Sequence, residues 1–96
     1  MVARLTESAR DAALAELADW TYDADRDGIG RTIKFDDFVG AFGFMTSVAM
    51  LAERADHHPL WTNLYNRVDV FLTTHDCSGL SERDVALAKE IDALVA

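Results

Sequence analysis

Fifteen consecutive residues, Phe38 to Ala52, carry no charge in a chain whose charged residues make up 27% of the whole. A run of that kind has to be covered, and its periodicity says in what form. Phe38, Phe42, Met45, Ala49 and Ala52 recur at spacings of four, three, four and three, which predicts a helix, with Phe44, Val48 and Leu51 broadening the stripe. The run is too short for a membrane span, and Gly40, Gly43, Thr46 and Ser47 make it too mixed. Each internal glycine costs a helix roughly 1 kcal/mol relative to alanine, so Gly40 and Gly43 predict close approach to another backbone. Asp36 or Asp37 supplies an N-cap. Pro59, the only proline, disfavours helical geometry at His58 and ends the run just before it. The expectation is a core helix, with Phe38, Phe42 and Met45 in the core rather than around a cofactor.

Other elements follow from the same patterns. Thr6 can cap a helix through about Ala18, with Ala9, Ala13, Leu14 and Leu17 on one side. Trp20–Tyr22 and Arg31–Phe35 read as the arms of a β-hairpin, joined by a long tip from Asp23 to Gly30 that contains the turn pair Asp27-Gly28. Residues Leu64 to Thr74 form the clearest strand region, with Val68, Val70 and Leu72 on one face and Arg67, Asp69, Phe71 and Thr73 on the other; Asn63 and Asn66 can bend it into two pieces. Ser81 to Asp84 resembles a capping box, with Asp in place of Glu or Gln, and Val85, Ala88, Ile91 and Leu94 or Val95 predict a last helix. This order predicts an α+β fold, an antiparallel sheet carrying its helices on one face, in a single domain spanning residues 1–96.

Composition removes several classes of function. Nine Lys and Arg against seventeen Asp and Glu leave a net charge of −8, which argues against a nucleic-acid backbone and an anionic membrane surface. Cys77 is the only cysteine, so an intrachain disulfide and a Cys-rich zinc site are excluded. The N-terminal residues lack the apolar core and cleavage site of a secretion signal. A soluble cytoplasmic protein is the expectation.

All three histidines, His57, His58 and His75, fall within nineteen residues, at places where a helix and a strand are predicted to stop. Element ends present side chains to ligands, and an imidazole can exchange a proton near neutral pH. The ordinary reading of a His-His pair is a solvated helix end. Neighbouring residues point apart, which suits two contacts to a ligand better than two bonds to one metal ion. Asp23, Asp25, Asp27 and Gly28 match the opening of a calcium loop, but its twelfth position, which needs a bidentate Glu, is Lys34. An acidic hairpin tip is the simpler reading. Cys77 has His75 two residues away and no other activating neighbour, so a filler or exposed thiol is the simpler reading there too.

One spacing is more specific than any of these. Glu53, three residues, His57-His58-Pro59, five residues, Tyr65, nine residues, His75, eight residues and Asp84 resemble the signature of the pterin-4a-carbinolamine dehydratase family. The runs Ala41-Phe42-Gly43-Phe44-Met45-Thr46 and Gly79-Leu80-Ser81-Glu82-Arg83-Asp84 resemble it as well, and similarity extends from about Ile29 to Val95.

The resemblance implies a four-stranded antiparallel sheet with three helices on one face, assembled as homodimers or homotetramers. It implies dehydration of 4a-hydroxytetrahydrobiopterin to the quinonoid dihydropterin, in the recycling of the cofactor of an aromatic amino-acid hydroxylase, with no metal and no bound cofactor. Carried over by position, His57 and His75 are the acid–base pair and His58 binds substrate and assists. Asp56, Thr73, Thr74 and Asp76 line the pterin site, and Pro59 and Trp61 shape its wall. Glu53 orients a histidine and Asp84 supports His75. Thr73 stands where Ser is common in the family, and Asp76 where Glu is common. Animal relatives also act as dimerisation cofactors of a homeodomain transcription factor, so a non-catalytic interaction or assembly module is the alternative.

Overall fold

The computed structural model describes residues 1–96. Thr6 caps helix α1 (Glu7–Ala15), its Oγ1 accepting from the Ala9 amide at 3.1 Å. The helix stops three residues short of the expected Ala18. Its last turn tightens into i→i+3 bonds, Glu16 N to Ala13 O and Leu17 N to Leu14 O, and these swing Leu17 and Trp20 into the core.

Strands β1 (Thr21–Asp23) and β2 (Gly28–Lys34) form the predicted hairpin, but with a short tip of residues 24–27. Asp23 pairs directly with Gly28 because Asp27 adopts the left-handed conformation (φ 46) and turns the chain early. Helix α2 (Phe38–Ala55) is capped by Asp37, whose carboxylate accepts from the Gly40 amide at 2.8 Å. Strands β3 (Leu60–Leu64) and β4 (Arg67–Leu72) follow, then a single 3-10 turn at His75–Cys77 and helix α3 (Glu82–Leu94). The predicted strand region is thus a second hairpin that begins four residues earlier than expected. Its turn is made at Tyr65, another left-handed residue (φ 52).

The sheet is antiparallel throughout, in the order β1-β2-β4-β3. The pairs Ile29↔Leu72 and Ile33↔Val68 point to the helix side, where both residues of each are buried. Thr32↔Asp69 and Thr62↔Asp69 point to the side without helices. Fourteen buried apolar residues form one cluster between sheet and helices. The fold is therefore α+β, a four-stranded antiparallel sheet with three helices.

Helix α2 buries only part of the predicted stripe: Ala52 is buried and Met45 packs half-buried against the core, and beside them Phe44 and Val48 are buried and Leu51 is half-buried. Ala41, Phe44, Val48 and Ala52 face inward, while Phe38 and Phe42 are exposed and lie against each other, tilted by 51° with ring centroids 5.7 Å apart. Alanines at the contact let α2 approach the sheet more closely than phenylalanines would. Gly43 faces open space, so the predicted backbone contact is absent there; Gly40 lies over Phe35. On α3, Leu87, Ala88 and Ile91 are buried, Val85 is half-buried and Leu94 is exposed. No helix is long and apolar enough to cross a membrane.

Candidate functional site

The end of α2 decides where the first two histidines point. Asp56 takes the left-handed conformation (φ 51, ψ 44) that closes a helix, and the His57 amide donates back to Ala52 O at 3.0 Å. Glycine is usual at such a position, and Asp is among the few residues that tolerate it. The reversal sends His57 into the protein, where it is 8% exposed. His58 points outward with its side chain 57% exposed. Pro59 follows and prevents the helix from resuming.

Inside, His57 Nε2 lies 2.6 Å from Oδ1 of Asp84, a residue with no exposed surface. The second oxygen, Oδ2, accepts from Thr74 Oγ1 at 2.7 Å and from the Ser81 amide at 2.9 Å. That last bond is half of the capping box of α3; the Ser81 side chain supplies the other half. The buried carboxylate is therefore held by three donors and lies at the N-terminus of a helix, where a negative charge is favourably placed.

The direction of every proton follows. An ionised carboxylate only accepts, so His57 Nε2 carries hydrogen and the neutral ring has its lone pair on Nδ1. Thr74 donates its single hydroxyl proton to Asp84, so in its 2.5 Å contact with Ser81 Oγ the serine is the donor. Ser81 Oγ in turn accepts from the Arg83 amide at 3.2 Å. No buried side-chain nitrogen or oxygen lacks a partner, and Nδ1 of His57 has none among the protein's side chains and backbone. Nδ1 is thus the part of the ring that solvent reaches. A histidine held this way is a base with one fixed, accessible lone pair.

His75 begins the 3-10 turn directly after Thr74. It is exposed, and its ring makes no hydrogen bond to the protein. The stretches carrying His57 and His75 are joined through Asp84, since the residue before His75 binds the carboxylate that holds His57. Asp84 itself contacts the ring of His57 and reaches His75, the residue it was expected to support, only through Thr74; its position in the capping box brings it under the end of α2. Glu53 Oε1 meets His58 Nε2 at 2.9 Å on the surface.

The remaining candidates are dispersed. The Thr74 side chain is buried and fully engaged, so its hydroxyl faces Asp84 and not a ligand. Thr73 Oγ1 donates to the Asp27 carbonyl at 2.9 Å. Asp76 pairs with Arg83 at 3.2 Å on the surface, and Asp56 is exposed. Trp61 is half-buried beside Val70 and reaches a concavity of about 680 Å³ that also takes in Arg26, Phe71 and Asp69. No histidine lines that hollow or a smaller one of about 330 Å³ beside Arg10 and Tyr22.

No three His, Cys, Asp or Glu side chains stand together as a metal site. Two of the three carboxylates of the acidic tip are engaged within the protein, Asp23 with Arg26 at 2.9 Å and Asp27 with Tyr22 at 2.7 Å. Cys77 Sγ faces the carbonyls of Thr74 and Gly79. Ser81 was visible in the sequence as a cap and within the run Gly79–Asp84, not as a partner of the histidines. Its link to a histidine depends on a contact across 27 residues, for which a single sequence carries no signal.

A family model described as Pterin 4 alpha carbinolamine dehydratase matches residues 3–94. A protein of Rhizorhabdus wittichii is 58% identical over 90 residues, covering 94% of this chain and 93% of its own length; one of Novosphingobium aromaticivorans is 53% identical over 94 residues, covering 98% of each. Both bear the name "Putative pterin-4-alpha-carbinolamine dehydratase". The crystal structure of a transcriptional coactivator/pterin dehydratase from Brucella melitensis is similar at a TM-score of 0.93 and 47% identity, covering 97% of this chain and 99% of that one.

Proposed function

This chain belongs to the pterin 4 alpha carbinolamine dehydratase family, and on that premise we propose that it dehydrates 4a-hydroxytetrahydrobiopterin by histidine acid–base catalysis. The observation that carries the reading is the buried carboxylate of Asp84, 2.6 Å from His57 Nε2 and bound also to the residue preceding His75. The reaction removes the hydroxyl at C4a and the proton on N5. Nδ1 of His57 accepts the N5 proton, and the N–H electron pair becomes the second bond between N5 and C4a. The C4a–O bond breaks with its electrons on oxygen, and the imidazolium of His75 gives that oxygen the proton that completes water. Each imidazole contributes on the order of 10²- to 10⁴-fold. His58, paired with Glu53, binds the pterin beside them. In this reading Asp56, Asp76 and Pro59, next to the histidines in the chain, contact the pterin and Thr74 acts through Asp84, whereas the Thr73 hydroxyl is taken by Asp27 and Trp61 opens on a hollow without a histidine. No bound cofactor enters these steps.

The quinonoid dihydropterin so formed is then reduced, returning the cofactor of an aromatic amino-acid hydroxylase in the cytoplasm. The exposed apolar row of α2, Phe38, Val39 and Phe42 with Met50 further along, supports assembly as a homodimer or homotetramer. The same row favours a second reading, a module that stabilises a partner protein. The deciding experiment follows dehydration of the 4a-hydroxypterin by its ultraviolet spectrum with purified protein. The expected result is acceleration that His57→Ala and His75→Ala each reduce strongly. A double variant as fast as the parent overturns the assignment, and a stoichiometric partner recovered with an inactive protein favours the second reading.

A further inference from the structure

The His75 ring is exposed and has no hydrogen-bonding partner in the protein, so the course of its loop backbone sets where it points. That loop is closed at its base by the Thr74↔Gly79 bridge, and both strands of the base are gripped from outside. On one side Thr73 Oγ1 donates to Asp27 O at 2.9 Å. On the other, Leu80 O accepts from the Leu5 amide at 2.9 Å. Gly79 lies directly under the Asp27 carboxylate; a Cβ there would stand 2.2 Å from Asp27 Oδ2 and 2.3 Å from Arg4 Cδ.

Asp27 is itself fixed. Its backbone is left-handed (φ 46), Oδ1 accepts from the Tyr22 hydroxyl at 2.7 Å, and Oδ2 is 3.7 Å from Arg4 Nη1. Arg10 lies over the Tyr22 ring at 4.6 Å and donates to its hydroxyl at 3.4 Å. The Tyr22 phenol is held above its ordinary range, first by that bond to the Asp27 carboxylate, so the hydroxyl keeps its proton and remains a donor.

We propose that Asp27, locked by Tyr22 at the tip of the first hairpin, is a positioning residue for His75. Its carbonyl and carboxylate bear on Thr73 and Gly79 and so set the angle at which the intervening turn presents the imidazole. The acidic tip thus has an occupation other than cation binding. The role of His75 rests on the function proposed above, whereas the effect on its ring does not.

The test compares Asp27→Ala, Asp27→Gly, Asp27→Asn and Tyr22→Phe in the full chain. Two readouts are taken, the Cε1–Hε1 NMR signals of the three histidines and the kcat and KM for dehydration. Displacing a reacting group by about an ångström can cost up to about 10²-fold. Asp27→Ala and Asp27→Gly are expected to move or broaden the His75 signal, leave those of His57 and His58 in place, and lower kcat about tenfold with KM within about twofold. Gly keeps the left-handed backbone without strain, so a loss shared with Ala belongs to the side chain. Asp27→Asn retains an acceptor for Tyr22 and tolerates the same backbone, so it is expected to restore both readouts. Tyr22→Phe keeps the ring under Arg10 and is expected to shift His75 in the same direction by less, which decides the matter where Asp27→Ala fails to fold. An unmoved His75 signal in folded Asp27→Gly and Tyr22→Phe overturns the proposal. A parent protein inactive as a dehydratase removes the kinetic arm and the function reading, while the NMR arm still decides the positioning.

Discussion

Nε2 of His57 and Oδ1 of Asp84 stand 2.6 Å apart inside the protein, although 27 residues separate them in sequence. The same carboxylate closes the capping box of α3. Ring orientation and helix initiation therefore share one side chain. Asp84→Ala is expected to destabilise the protein by about 3 kcal/mol, as breaking a buried charged hydrogen-bonded pair does. Asp84→Asn keeps the shape and costs less stability, but its amide can donate to Nε2, which moves the ring proton to Nδ1 and removes the accessible lone pair. Dehydration is expected to slow by at least about tenfold in Asp84→Asn. Denaturant titration beside the rate assay separates the two effects, and an Asn variant at full rate would remove the tautomer from the mechanism.

Thr74 tests the same network from its other side. Thr74→Val preserves shape but deprives Asp84 Oδ2 of a donor and Ser81 Oγ–H of its acceptor. A buried polar group left without a partner costs about 1–3 kcal/mol, and a destabilisation in that range is expected from chemical denaturation. Thr74→Ser keeps the hydroxyl and is expected to recover most of it. Equal losses in the two variants would mean that the methyl group, not the hydrogen bond, is what matters.

The parts of this architecture that sequence discloses are those with a period or a cap. The helices at Phe38 and Glu82 were legible from apolar recurrence and from Asp37 and Ser81. The strand Leu60–Leu64 was not, because an edge strand buries none of its five residues and leaves Leu60 and Leu64 in solvent. The inward face of the first turns of α2 was not legible for a related reason. Hydrophobicity ranks Phe38 and Phe42 above Ala41, yet close packing on the sheet favours the small side chain there. At the site, the histidines and Asp84 were visible as a spacing, but which ring the carboxylate holds depends on how the end of α2 meets the start of α3.

Gly28 offers a direct check on packing across the sheet. A Cβ there would lie 2.3 Å from Phe71 Cζ and 2.7 Å from the Leu72 carbonyl oxygen. The backbone atom cannot retreat without breaking the β2–β4 ladder, and Phe71 is held beneath the Arg26 guanidinium, 3.9 Å from the ring centroid. Gly28→Ala is expected to destabilise by about 1–3 kcal/mol, the usual cost of overpacking. Thermal melting should show it, and an unchanged midpoint would mean that the strand can slide.

Asp69 gives the protein a pH-dependent contribution whose sign is fixed. Hydrogen bonding from the Thr32 hydroxyl holds its carboxyl below the ordinary value of 3.8, burial opposes this, and Arg67 adds to the lowering. A folded-state pKa below the unfolded one stabilises the native state above the unfolded pKa, and that stabilisation disappears as pH falls through the folded value. Thr32→Val removes the first of these donors, and valine suits a strand, so any offset from β-propensity is constant with pH. The Asp69 carboxyl is expected to titrate nearer its ordinary value, read from its 13Cγ shift. The stability difference between parent and variant should be largest near pH 7 and shrink below about pH 4, where both carboxyls become protonated. A difference that grows on acidification would contradict the assigned direction.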